Sequence, residues 1–270
     1  MSIKTYIIDA FTTELFKGNQ AAVCLLQNEL SKQTMLEIAK EFGYSETAFV
    51  LGLNTNSFYI RYFSPSQEIP LCGHATLASS KALFTEYKNL SKITFHTHFD
   101  DTLKISQNQD QIEMYFPQHG TEKSTVDEDI KRALGINEVL NCEYNSFHNI
   151  VMLEIGSSEV LKNLAPIFSV LRNIETSING VLVTAQSEQN EYDYEYRYFF
   201  PWSGADEDPA TGGVQSFLSK YWAKKLNKKK MKAYQSSTRT GSMEIELIDD
   251  SVVIRSNAVI FSSGELHLQD

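Results

Sequence analysis

Cysteine, proline and long apolar runs are all scarce in this 270-residue chain, and each shortage excludes a class of protein. The three cysteines, Cys24, Cys72 and Cys142, are odd in number and evenly scattered. They form no disulfide framework and suit a reducing, intracellular compartment. Six prolines and 13 glycines are too few for a collagen-like or low-complexity segment. The opening stretch to Asp9 is apolar for only a few residues, and the longest apolar run elsewhere, Ala21–Leu26, is strand-sized. A secretory core needs about 7–15 apolar residues, and a spanning helix about 20. The expectation is a cytoplasmic protein that meets no membrane. Basic charge is short as well, with 24 Lys and Arg against 34 Asp and Glu, a formal net charge of -10. A field of that sign repels phosphate backbones and argues against nucleic-acid binding. Neither a Gly-x-Gly-x-x-Gly turn nor a phosphate loop with Lys-Ser/Thr occurs, so no nucleotide cofactor is expected.

Apolar residues, by contrast, make up 42% of the chain, enough for a sizeable core. At roughly 150 residues per domain the length fits two modest domains or one large one. Strand-length stretches rich in β-branched and aromatic residues cover Thr5–Asp9, Ala21–Leu26, Thr47–Leu53 and Phe58–Phe63. Ser31–Phe42 reads as a helix: Ser31 can cap it, and Met35, Leu36, Ile38, Ala39 and Phe42 recur at helical spacing. Ala75–Tyr87 is a second helix, apolar almost all round, which a sheet wrapped about it would bury. Strands follow at Ile93–Phe95, Leu103–Ser106 and Ile112–Phe116, then a polar Pro117–Glu128 linker. Beyond it, helices are predicted at Asp127–Leu134, Glu159–Leu164 and from Gly213 to Lys225. Strands are predicted at Ile150–Ile155, Gly180–Thr184, Tyr192–Phe199, Lys232–Ser236, Met243–Ile248, Val252–Ser256 and Ala258–Phe261.

The two halves resemble each other. Ile60-Arg61-Tyr62-Phe63-Ser64-Pro65 precedes Gly73 and an apolar helix, and Tyr196-Arg197-Tyr198-Phe199-Phe200-Pro201 precedes Gly212 and another. Both run strand, Arg-Tyr-Phe-x-Pro, acidic loop, glycine turn, buried helix, a pattern that duplication of a whole domain would leave. Leu71-Cys72-Gly73-His74-Ala75-Thr76 and Asp208-Pro209-Ala210-Thr211-Gly212-Gly213 each place glycine where strand gives way to helix. Glycine lets a ligand approach the backbone, and the first N–H groups of a helix attract an anion such as a carboxylate. Two ordinary glycine turns are the plainer reading.

Gly18-Asn19-Gln20-Ala21-Ala22-Val23, Tyr44-Ser45-Glu46-Thr47-Ala48-Phe49, Cys72-Gly73-His74-Ala75 and Glu207-Asp208-Pro209-Ala210-Thr211-Gly212 together resemble the PhzF-like phenazine-biosynthesis isomerases. The motifs span most of the chain in the family's order. The resemblance implies an α+β protein of diaminopimelate epimerase-like fold: two pseudo-symmetric lobes, each a curved, mostly antiparallel or mixed sheet around a central helix. The lobes would be residues 1–117, completed by the strand near 258–270, and residues 118–257, with the active site between them in a homodimer. It implies a cofactor-independent isomerase that moves a proton between carbons of a small carboxylate-bearing substrate. Glu46 would be the base, its pKa raised toward working pH by partial burial. A neutral His74, hydrogen-bonded by Asp208, would hold or relay the proton. Asn19, Gly73, Gly212 and Gly213 would bind substrate.

Local sequence offers each of these residues a second role. Glu46 could cap a turn, His74 could face solvent, Asp208 could cap a helix, and Asn19 could stabilise the Gly18 turn. Gly213 departs from the family pattern, which commonly has serine there. That loss of a hydroxyl keeps open a protein that binds on this fold without catalysis. Cys72 suggests another alternative, since racemases and epimerases of the same fold use two thiols. The partner position before Gly212 is Thr211, too weak an acid to substitute. His96 and His98 share a strand face without an evident third ligand, so no metal is expected. The lysines from Lys224 to Lys232 read as a solvated helix end.

Overall fold

The computed structural model describes residues 1–269. Ten elements open the chain: β1 (Ser2–Ala10), β2 (Asn19–Leu26), α1 (Lys32–Phe42), β3 (Glu46–Gly52), β4 (Ser57–Phe63), β5 (Glu68–Ile69), α2 (Gly73–Glu86), β6 (Lys92–Thr97), β7 (Thr102–Asn108) and β8 (Gln111–Pro117). There follow β9 (Glu122–Lys123), α3 (Glu128–Leu134), β10 (Asn141–Asn145), β11 (Ile150–Glu154), α4 (Ser158–Lys162), α5 (Phe168–Leu171) and β12 (Gly180–Gln186). The last are β13 (Tyr194–Phe199), β14 (Glu207–Asp208), α6 (Gln215–Leu226), β15 (Lys230–Gln235), β16 (Gly241–Ile248), β17 (Ser251–Ser256) and β18 (Ala258–His267). The protein is mixed in class, with much more sheet than helix. Among the described residues no helix is long and apolar enough to cross a membrane.

These elements gather into two compact units. The first is Met1–Phe116 together with the segment from Val253 onward; the second is Pro117–Val252. In the first unit β1 lies between β2 and β18, both antiparallel to it. Helix α1 begins where the sequence predicts, because the Ser31 side chain accepts from the Thr34 N–H, and it ends at Gly43 in the left-handed region. Its crossover makes β2 and β3 parallel, with Ala21 opposite Glu46. Helix α2 packs against β1, β2, β3 and β18. It is buried on nearly every side from His74 to Phe84, and the burial takes in the polar Thr76, Ser79 and Ser80 along with its alanines and leucines.

The second unit repeats this order internally. Strands β10 and β11 pair antiparallel, β11 and β12 parallel, and β12 and β13 antiparallel, as β1 to β4 do. Strand β4 joins β6 in parallel across α2, and β13 joins β15 in parallel across α6. The Arg-Tyr-Phe motif does the same work in both. Arg61 donates from Nε and Nη2 to the two Glu68 carboxylate oxygens at 2.7 and 2.8 Å. Arg197 binds Glu207 in the same two-pronged way at 2.7 and 2.8 Å. Each pair ties a long strand to the two-residue strand beside it.

Several boundaries differ from the sequence reading. The linker contains β9, which pairs with β10. Helix α6 starts at Gln215 rather than Gly213, since Gln215, Ser216 and Phe217 first bond three residues back, to Gly212, Gly213 and Val214, in a tighter turn. Strand β18 continues to His267 through the polar Ser262-Ser263-Gly264, because backbone pairing with β1 does not depend on those side chains.

Candidate active site

Three local features of the first unit bring side chains together. Gly18 has φ of +67°, and a Cβ there would lie 2.1 Å from the Ala10 carbonyl oxygen, so only glycine makes this turn. The turn sets Asn19 at the head of β2, buried to 2% exposure. The parallel register sets Glu46 at the head of β3. Cys72, in extended conformation, is the residue from which α2 starts, and His74 follows in the first turn.

These residues converge on the imidazole of His74. Its Nε2 lies 3.0 Å from Glu46 Oε2, and its Nδ1 lies 3.1 Å from the Asn19 amide. The Cys72 sulfur is 3.4 Å from Nδ1 and 3.7 Å from Nε2, and Ser45 Oγ approaches Nε2 at 3.5 Å. The His74 side chain is 8% exposed and that of Glu46 19%, so the carboxylate is the more accessible member of the pair.

The electrostatics overturn two expectations. Burial works to raise the Glu46 pKa, but the adjacent imidazolium and the Ser45 hydroxyl outweigh it, and the carboxyl sits below its usual value. Burial likewise works against a charged His74, yet the Cys72 and Glu46 side chains beside it prevail, and its pKa lies well above 6.5. Burial pushes the Cys72 thiol up, against the pull of His74 beside it. The sequence reading expected a Glu46 pKa raised toward neutrality and a neutral His74. At 3.0 Å each side chain instead favours the other's charged form, which moves Glu46 down and His74 up.

Asp208, Gly212 and Gly213 belong to the second unit. Asp208 lies in β14 opposite Tyr198, and its carboxylate accepts from the Thr211 hydroxyl. It is not the cap of α6, whose cap position is Val214. Gln235 receives the Thr211 N–H at 2.6 Å, and Tyr196 donates its hydroxyl to the Thr211 carbonyl at 2.9 Å. A Cβ on Gly213 would meet open space.

Sequence reasoning missed Ser45, although it adjoins Glu46, and missed Gln235, which carries no local signal. It also left Cys72 outside the His74 cluster. Glu46, Cys72 and His74 each bring a potential ligand atom within 4.8 Å of the others.

Comparison with known proteins adds the lineage. Residues 8–264 match the family described as phenazine biosynthesis-like protein. The chain belongs to that family. An uncharacterized isomerase of Halalkalibacterium halodurans is 40% identical, covering 99% of this chain and 100% of its own. The phenazine biosynthesis-like domain-containing protein of Bos taurus is 37% identical, over 98% and 99% respectively. The crystal structure of a phenazine biosynthesis protein of the PhzF family from Enterococcus faecalis superposes with a TM-score of 0.91 at 32% identity, covering 99% of this chain and 100% of that one. The match to a phenazine biosynthesis-like protein therefore extends over both units.

Proposed function

We propose that this protein is a cofactor-independent isomerase that moves a proton between carbons of a small carboxylic acid. The observation that carries the reading is the contact at 3.0 Å between the buried His74 and the more accessible Glu46 carboxylate. In the proposed reaction Glu46 removes a proton from carbon, the electron pair spreads into the adjoining unsaturated system, and Glu46 returns the proton to another carbon on the same face. His74 is a positioning residue: its charge keeps Glu46 ionised before the transfer, and Asn19 fixes the ring. The backbone N–H groups that open α2 at Gly73 are the hold on the substrate carboxylate in this reading. The isomerase name of the Halalkalibacterium relative supports the reaction class.

The two-thiol alternative loses ground on chemistry. Burial keeps the Cys72 thiol protonated, and the Thr211 hydroxyl opposite Asp208 is no thiol. The test is proton NMR in deuterated water with a panel of small unsaturated and cyclic carboxylic acids. Wild-type protein is expected to exchange a carbon-bound proton, and Glu46→Gln to lose at least about 100-fold of that rate with its circular dichroism unchanged. Exchange that survives Glu46→Gln removes Glu46 from the mechanism.

A further inference from the structure

Side chains alternate across β13. Tyr194 faces α6, where it stacks on Trp222 and donates to Gln215. Glu195 and Arg197 face the other way, and Arg197 donates to the Leu161 and Leu164 carbonyls of α4 and the turn after it, at 3.2 and 2.7 Å. Strand β15 runs parallel alongside with Tyr234 opposite Glu195, and Ser236 extends the ladder by donating its N–H to the Tyr196 carbonyl at 3.1 Å. Glu195, Arg197, Tyr234 and Ser236 line one polar cavity of about 600 Å³, within the second unit. Pockets that hold small ligands span roughly 300–1,000 Å³.

Two buried groups in that lining lack the partners burial calls for. Glu195 is 1% exposed, and its Oε1 accepts from Ser187 Oγ at 2.8 Å and Gln189 Nε2 at 3.1 Å, both neutral donors. Among the described residues no lysine, arginine or histidine forms an ion pair with it. Arg197, two positions on, is committed to both Glu207 oxygens. A buried carboxylate without a cation is costly, and a bound cation removes the cost. Ser236 is 6% exposed, and its hydroxyl has no hydrogen-bond partner. Glu159 and Glu188 also line the cavity, against the exposed Lys162, so the field favours a cation over an anion. Hydroxyls of Ser158, Ser237, Thr238 and Thr240 make up much of the remaining lining, which suits a hydroxylated frame rather than an apolar one.

We propose that this cavity binds a small polyhydroxylated amine of the amino-sugar kind. Glu195 is the counter-ion of the ammonium group, and Ser236 bonds a neighbouring N–H or O–H of the ligand. None of these residues takes part in the proton transfer at Glu46, and the site does not rest on the isomerase reading.

The experiment titrates isotope-labelled full-length protein with glucosamine, followed by NMR at mildly acidic pH where the amine is charged. Saturable shifts are expected at the backbone amides of Glu188, Ser236 and Ser237. Glucose and N-acetylglucosamine, which lack the ammonium group, should bind at least about tenfold more weakly. Glu195→Gln should weaken glucosamine by a similar factor, while Glu191→Gln, outside the cavity lining, leaves it unchanged. Ser236→Ala breaks no side-chain hydrogen bond of the free protein and should weaken glucosamine by about threefold to tenfold. Absence of saturable shifts at those amides overturns the site. Glucose that binds as tightly as glucosamine, or binding undiminished in Glu195→Gln, overturns the counter-ion role. Should Glu195→Gln fail to fold, undiminished binding in Ser236→Ala overturns the proposal in its place.

Discussion

Gly18 and Gly213 look alike in the sequence and differ in what the backbone asks of them. At Gly18 the left-handed conformation and the Ala10 carbonyl leave no room for a side chain, and the residue carries Asn19 to His74. Gly18→Ala is expected to cost at least about 1–3 kcal/mol in urea unfolding. At Gly213 an added Cβ meets nothing. Gly213→Ser should leave stability within about 1 kcal/mol of wild type, with stabilisation the expected sign. The Glu46–His74 pair sets a pH window. Glu46, its pKa depressed below 4.5, contributes stability that is lost as pH falls through its folded value. His74, raised well above 6.5, contributes stability that is complete below its unfolded pKa and lost as pH rises through the folded one. Chemical denaturation across pH should therefore show support from the pair on a plateau between about 4.5 and 6.5, with losses on both sides that Glu46→Gln flattens. The identities of Glu46, His74 and Asn19 were legible because each stands in a recognisable motif. Their effect on each other's pKa was not, because Glu46 and His74 are 28 positions apart and only the parallel β2–β3 register with the start of α2 brings them together.

Helix α2 departs from the usual amphipathic pattern, and the departure predicts its tolerance. Ten of its 14 residues are buried, so Leu77→Ala in its centre is expected to cost about 2–5 kcal/mol. Lys81→Ala, at a half-exposed position, should stay within about 0.5 kcal/mol. The paired Arg–Glu ties offer a matched test in the two units. The Glu68 side chain is 2% exposed, and Arg61→Ala would leave it only the largely exposed Lys32 as a cationic partner. The expected loss is about 3–5 kcal/mol, whereas replacing Arg61 and Glu68 together by Met and Leu should recover most of it. Calorimetric melting distinguishes these outcomes. Helix α1 was readable from Ser31 and its apolar spacing, since the cap and the periodicity are both local. The two-residue strands β5 and β14 were not, because each is held by backbone pairing and an arginine on the neighbouring strand. Helix α5, four residues long, offers too little sequence for any period to emerge.

At the scale of the whole chain, the first unit is assembled from segments far apart in sequence. Strand β18 pairs with β1 over almost its whole length, and the Met1 ammonium group reaches the Leu268 carbonyl at 2.8 Å. Removing residues from Ala258 onward would turn β1, with its buried Ile3, Ile7 and Ile8, into an open edge. The truncated protein is expected to run as aggregate on size-exclusion chromatography, while the intact chain elutes in a discrete peak. The Arg-Tyr-Phe repeat was visible in the sequence because the Arg–Glu tie demands particular residues. The full extent of β18 was hidden because Ser262, Ser263 and Gly264 pair through the main chain. During vectorial synthesis on a ribosome, β1 emerges early and its β18 partner only after some 250 further residues have been made. The opening hydrophobic strand must therefore wait, half-paired with β2 alone, and a chaperone that shields it during translation would raise the yield of native protein.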